Sequence, residues 1–61
     1  MTSAEMVSQA AKARRDRKFA LAVRLYNEAA VEFEAKGFWA IPKRLRECAA
    51  DCQVWAEKLE G

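Results

Sequence analysis

The chain of 61 residues contains no histidine, only two glycines, one proline and two cysteines. Without histidine the commonest general base at neutral pH is missing, and a Ser-His-Asp set cannot form. Because the glycines are Gly37 and Gly61, a glycine-rich phosphate-binding loop is excluded. A chain this short also lacks room for a deep pocket that excludes water. We therefore do not expect an enzyme.

Long apolar runs are absent as well. The longest unbroken one covers Phe19 to Val23, whereas a membrane-spanning helix needs roughly 18 apolar residues or more. No basic segment followed by an apolar one opens the sequence, as it would in a secretory leader. Eleven basic and nine acidic residues give a formal net charge of +2, which is small for a protein that binds nucleic acid. We expect a soluble, cytoplasmic protein with no membrane span.

The two cysteines, Cys48 and Cys52, are four residues apart and would share one face of a helix. Two thiolates without an imidazole fall short of the four ligands of a structural zinc site, so such a site would have to straddle a dimer. Free cysteine behaves as a small apolar residue and is often buried. We therefore interpret both cysteines as core residues and expect no metal and no other cofactor.

Three segments carry the apolar periodicity of a helix, and no segment alternates as a strand does. Thr2 or Ser3 followed by Glu5 is typical of a capping box at a helix start, and Gly37 suits a helix end. The predicted helices cover residues 3–15, 18–36 and 40–59. Their apolar positions are Met6, Ala10 and Ala13; then Phe19, Ala22, Val23, Tyr26, Ala29, Ala30 and Phe33; then Ile41, Leu45, Cys48, Cys52, Trp55 and Leu59.

The third series is spaced by four and three residues without interruption, which is the spacing of a heptad seam. Short connections between consecutive helices make neighbours antiparallel. The sequence therefore predicts an all-α fold, a small antiparallel up-down-up three-helix bundle that occupies residues 1–61 as one domain.

The segment "KGFWAIPKR", residues 36–44, is apolar where a connection is usually polar. Gly37 ends the second helix, and Pro42 fits the first turn of the third, where a missing N–H costs least. Phe38 or Trp39 can then cover the end of the core. We expect Trp39 to be the one left exposed, as a candidate contact together with a group of cations near a helix N-terminus, where their charge opposes the helix dipole and suggests an anionic partner. These cations are Lys43, Arg44 and Arg46.

The stretch "FALAVRLYNEAAVEF", with Phe19, Ala22, Tyr26 and Ala29, resembles the second helix of a tetratricopeptide repeat. Residues 4–33, "AEMVSQAAKARRDRKFALAVRLYNEAAVEF", resemble without a gap the first two helices of the MIT (microtubule-interacting and trafficking) domain, and "WAEKLEG" resembles the end of its third helix. The chain departs from that pattern at its first turn and in a shorter connection after Phe33. The resemblance implies a helical interaction module.

Several apolar residues lie beside the core stripes rather than on them. In MIT domains, short helical tails of membrane-remodelling filament subunits dock in grooves beside the third helix, so the resemblance implies a peptide-binding groove here. The alternative is that a bundle helix with two neighbours has a wide apolar stripe, which would take most of these residues into the core. The groove residues implied by the resemblance are Leu21, Leu25, Ala50, Val54 and Glu57.

We expect a non-catalytic protein-interaction module that docks a partner helix or peptide in this groove. Two alternatives remain open at this point. A small core favours self-association into a homo-oligomer, which would make the chain a self-assembling structural protein. The basic segment Lys12 to Lys18 could instead contact the phosphates of a nucleic acid, although the small net charge makes that partner the least expected of the three.

Overall fold

A computed structural model describes residues 2–60 of the chain. It contains three helices, α1 (Ser3–Arg15), α2 (Phe19–Ala35) and α3 (Ala40–Glu60), and no strand within the described residues. The predicted all-α three-helix bundle is confirmed, and each observed helix boundary lies within one residue of the predicted one. No helix in the described part of the chain is both long and apolar enough to cross a membrane.

The start of α1 is fixed by its own side chains and by the end of α2. Thr2 is the N-cap, and its hydroxyl oxygen accepts a hydrogen bond of 3.2 Å from the backbone N–H of Glu5. The Ser3 side chain is buried, and its Oγ accepts a hydrogen bond of 3.0 Å from Lys36 Nζ. Because Lys36 follows α2 directly, this contact places the start of α1 beside the end of α2, as expected for antiparallel helices.

The first corner, residues 16–18, closes α1 with the backbone hydrogen bonds of a Schellman motif. The N–H of Lys18 donates to the carbonyl of Ala13 over 2.8 Å, and the N–H of Arg17 donates to the carbonyl of Arg14 over 3.1 Å. Arg17 has φ 62° and so occupies the left-handed region that glycine adopts at least cost. An arginine therefore carries backbone strain at the position where this motif usually has glycine.

The second corner, residues 36–39, repeats the same motif with a glycine in place. The N–H of Phe38 donates to the carbonyl of Phe33 over 3.1 Å, the N–H of Gly37 donates to that of Glu34 over 3.0 Å, and Gly37 has φ 91°. The rings of Phe33 and Phe38 meet edge to face with centroids 5.6 Å apart. This is the apolar contact that often accompanies a Schellman motif, and it holds Phe38 against the end of α2.

Helix α2 is the centre of the packing. Both α1 and α3 pack along it, whereas α1 and α3 make few contacts with each other. Alanine accounts for seven of the twelve buried hydrophobic residues, and alanine side chains let helix axes come close together while burying little area. The buried set is Met6, Ala10 and Ala13 from α1, Phe19, Ala22, Tyr26, Ala29 and Ala30 from α2, and Leu45, Ala49, Cys52 and Ala56 from α3.

The buried face of α3 differs from the predicted heptad seam. Leu45 and Cys52 are buried as predicted, but Ile41, Trp55 and Leu59 are 40%, 44% and 57% exposed. Ala49 and Ala56 are buried in their place, with Pro42, so the helix is rotated about its axis relative to the prediction. The physical reason is that α3 is covered by α2 alone. The apolar stripe of α3 is wide enough to contact two helices, so one edge of it is left without a covering helix.

The two corners predict a matched pair of backbone effects. Gly37→Ala should lower the free energy of unfolding by about 1 kcal/mol, because an L-residue in the left-handed region is strained. No atom lies within 4 Å of the added Cβ, so a steric clash would not contribute. Arg17→Gly should be more stable than Arg17→Ala by about the same 1 kcal/mol, since both variants remove the same cation and differ only at the backbone. Urea denaturation followed by circular dichroism measures both differences.

Equal stabilities of the two Arg17 variants would show that the first corner does not hold residue 17 in the left-handed region. A larger loss for Gly37→Ala than for the Arg17 pair would point instead to a disturbed contact between Phe33 and Phe38.

Candidate functional site

The open side of the bundle forms a cleft between α1 and α3, with α2 as its floor. The cleft exists because α1 and α3 are held apart on the same central helix. Its volume is about 640 Å³, which lies within the range of roughly 300–1,000 Å³ of ligand pockets, although here the space is open to solvent. The residues that line and define the cleft are Ser8, Ala11, Arg14, Arg15, Arg17, Phe19, Tyr26 and Trp55.

The floor of the cleft is aromatic. Phe19 and Tyr26 are seven residues apart, so they lie on one face of α2, and both are largely buried. Trp55 of α3 stacks on Phe19, with ring centroids 6.2 Å apart and ring planes inclined by 24°. Because the Trp55 side chain is only half covered, its ring presents an apolar surface at the mouth of the cleft.

The rim of the cleft is cationic. Arg14 of α1 reaches Asp51 of α3 in an ion pair of 2.9 Å, and both side chains are about half exposed. Such an exposed pair contributes roughly 0–1 kcal/mol to stability. It spans the cleft but is too weak to hold α1 and α3 in a fixed position. Arg15 and Arg17 form no ion pair within residues 2–60, and Lys58 Nζ lies 5.5 Å from the centroid of the Trp55 ring.

Both cysteines lie on the side of α3 that faces Tyr26. Cys52 is fully buried and Cys48 is partly buried, and neither forms a disulfide. Burial raises the pKa of the Tyr26 hydroxyl, the negative charge of Cys48 and Cys52 as thiolates raises it further, and the Arg14 cation opposes the shift. Burial likewise raises the pKa of the Cys52 thiol. Within the described residues no three metal-ligating side chains come together as a metal site would require.

The groove residues implied by the family resemblance are distributed over more than one surface. Leu21 and Leu25 line a furrow of about 300 Å³ between α1 and α2. Ala50 lines a separate furrow of about 280 Å³ between α2 and α3. Val54 is about half exposed on α3, and the Glu57 carboxylate accepts a hydrogen bond of 3.3 Å from the side chain of Gln53. None of the five residues lines the cleft.

The other predicted contacts lie at the second corner. Trp39 is 79% exposed, and Lys43 and Arg44 are exposed beside it in the first turns of α3. Arg46 is different, because its guanidinium donates a hydrogen bond to the Glu34 carboxylate. Whether Trp39 contacts a partner stays a prediction.

The cleft itself is not predicted by the sequence. Apolar periodicity assigns Phe19 and Trp55 to the core, and it leaves Arg14, Arg15 and Arg17 as no more than parts of a basic segment. The sequence feature that could have indicated the cleft is a difference in side-chain size between the apolar stripes of the first and third helices. The first helix offers mainly small alanines, which provide too little surface to cover an aromatic residue such as Trp55.

Comparison of the chain with protein-family models, with curated proteins and with solved structures gives no significant match. The resemblance to MIT domains and tetratricopeptide repeats therefore depends on the quoted residues alone. The cleft combines an aromatic floor with a cationic rim, and this geometry determines the chemistry available to it.

The raised pKa values of Tyr26 and Cys52 predict a loss of stability at alkaline pH. A group whose pKa is higher in the folded state stabilises the fold fully below its unfolded value, and that contribution is lost as the pH rises through the folded value. The ordinary values are 9.0 for Cys52 and 10.0 for Tyr26, so the free energy of unfolding should decline above about pH 9. Tyr26→Phe should make the decline shallower, as measured by urea denaturation across this pH range.

All other titratable groups are common to both proteins, so the comparison isolates the tyrosine hydroxyl. If wild type and Tyr26→Phe lose stability at the same rate above pH 9, the Tyr26 hydroxyl does not lie in a buried environment that raises its pKa.

Proposed function

We infer that the chain is a non-catalytic protein-interaction module that binds a helix or helical peptide of a partner in the cleft between α1 and α3. The observation that carries this inference is the open side of the bundle, where the half-exposed Trp55 ring, stacked on the buried Phe19, presents an apolar surface that no helix of the described chain covers. An uncovered aromatic surface with a charged rim is typical of an interaction site.

The rim supports an acidic occupant. Arg15 and Arg17 stand on the α1 side of the cleft and Lys58 on the α3 side, close to Trp55. A partner with an apolar anchor against the Trp55 ring and carboxylates on either flank would match both features. Arginine suits this role because its planar group can hydrogen-bond a carboxylate through two donors.

A helix is the form of partner that we propose for the cleft. Two helices with a third beneath them leave a long furrow, and an amphipathic helix fills such a furrow with side chains spaced three and four residues apart. The resemblance to MIT domains supports the same mode, since it implies docking of a helical segment beside the third helix. The ion pair of Arg14 and Asp51 is weak enough to rearrange when such a segment enters.

The proposal predicts which peptides the protein selects. A displayed library of amphipathic helical peptides should yield acidic sequences with a large apolar anchor. The selected peptides should bind the Trp55→Ala variant at least about tenfold more weakly, because a buried aromatic anchor commonly contributes about 2 kcal/mol or more. They should bind the double variant Arg15→Gln/Arg17→Gly more weakly as well. Fluorescence anisotropy with labelled peptides gives the dissociation constants.

Arg17→Gly separates binding from stability, because it removes a rim charge while relieving backbone strain at the first corner. Val54→Asp is the matched control, since it adds a charge to an exposed site on α3 outside the cleft. Retained binding by Val54→Asp supports the cleft. Loss of binding in Val54→Asp together with normal binding by Trp55→Ala would contradict it and favour the surface implied by the family resemblance.

A further inference from the structure

The second corner projects a small apolar surface into solvent at the end of the molecule opposite the cleft mouth. We call residues 38–44 the tip. Trp39 is the most exposed large apolar residue of the described chain. Phe38 and Ile41 are also more than one-third exposed. Isolated apolar residues on a surface need no explanation, but three large ones within four positions form a patch.

The tip is held in place rather than loosely attached. Phe38 packs on Phe33, and the N–H of Phe38 donates a hydrogen bond to the carbonyl of Phe33. Lys36 Nζ lies 5.7 Å from the centroid of the Phe33 ring and donates to Ser3 Oγ, which ties the corner to α1. Trp39 therefore projects from a fixed backbone, and little conformational entropy would be lost when it is buried against a partner.

Cations flank the exposed rings along the chain, with Lys36 before them and Lys43 and Arg44 after them. No acidic residue occurs between Glu34 and Glu47, and Glu34 is already paired with Arg46. Lys43 and Arg44 form no ion pair within the described part of the chain. They lie in the first turns of α3, where the N-terminal end of the helix dipole adds further positive potential and no acidic residue offsets it.

We propose that the tip binds an anionic lipid surface, with Trp39 and Ile41 at the boundary between headgroups and acyl chains and with Lys43 and Arg44 against the lipid phosphates. Tryptophan favours that boundary because its ring is large and apolar and carries one N–H donor. The shape of the tip supports this partner. A projecting side chain enters a soft, flat surface, whereas a peptide or a single helix needs a furrow to occupy. Lipid binding at the tip does not depend on the function proposed for the cleft.

The attraction should be moderate and dependent on salt. Cations near an anionic bilayer each strengthen binding about fivefold, and this contribution falls off within a Debye length. One tryptophan and one isoleucine add a small apolar area compared with a full amphipathic helix. The tip should therefore bind reversibly, to anionic and not to neutral vesicles.

The experiment uses the full chain carrying Trp55→Phe, which leaves Trp39 as its only tryptophan. The protein is mixed with vesicles of phosphatidylcholine, with or without phosphatidylserine. With phosphatidylserine present, Trp39 emission should shift to the blue and be quenched by brominated acyl chains, and added salt should weaken binding. Phosphatidylcholine alone should leave the emission unchanged. Vesicle co-sedimentation of the wild-type chain provides a second measurement that needs no fluorophore.

Two matched variants locate the binding surface. Lys43→Gln/Arg44→Gln should weaken sedimentation with anionic vesicles about 25-fold, which is about fivefold for each cation. Lys12→Gln/Lys18→Gln removes the same net charge from the last turn of α1 and the first corner, and should leave binding close to that of wild type. Trp39→Ser should weaken binding without changing helicity.

Three outcomes would overturn the proposal. One is the absence of any blue shift with phosphatidylserine vesicles. Another is an equal loss of binding in Lys43→Gln/Arg44→Gln and in Lys12→Gln/Lys18→Gln, which would mean that the net charge of the protein and not the tip is responsible for binding. The third is a blue shift that appears without vesicles as protein concentration rises, or with a single-stranded oligonucleotide in place of vesicles. Trp39 would then serve self-association or base stacking instead.

Discussion

Every helix–helix contact of consequence in this bundle passes through α2. Ala22, Ala29 and Ala30 are fully buried on that helix, and their small side chains allow α1 and α3 to approach it from two sides. Because α1 and α3 both pack on α2, they make few contacts with each other. The cleft is a direct result of this arrangement, as is the small core, because alanine contributes little buried area for each residue it places inside.

The helices and the corners could be predicted from the sequence because their signals are local. A cap hydroxyl at Thr2 and a glycine at position 37 act within one turn of chain, and both perform the predicted role. The first corner is predictable without its usual glycine, since the apolar rhythm stops at Arg14 and resumes at Phe19. The strain at Arg17 could not be predicted from the sequence, because arginine has no preference for the left-handed region that it occupies here.

The orientation of α3 could not be predicted, since it depends on how many helices cover it. The seam through Ile41 and Trp55 and the stripe through Ala49 and Ala56 share Leu45 and Cys52, so periodicity alone favours the larger side chains. In a closed bundle that choice would be sound. With a single neighbour, close approach to α2 favours the alanines, and the large side chains move to the edge of the contact. The same rotation that exposes Trp55 therefore forms one wall of the cleft.

The two proposed surfaces lie at opposite ends of α2, which has 17 residues and so separates the corners by roughly 25 Å. That distance exceeds the Debye length of about 8 Å at physiological ionic strength, so the charges at one end are screened from those at the other. The mouth of the cleft near Trp55 belongs to the first corner, and Trp39 belongs to the second. We expect occupation of either proposed surface to leave the other accessible, because no residue of the tip lines the cleft. Under the two proposals together, the chain would hold a partner helix at one end while its other end rests on a membrane surface.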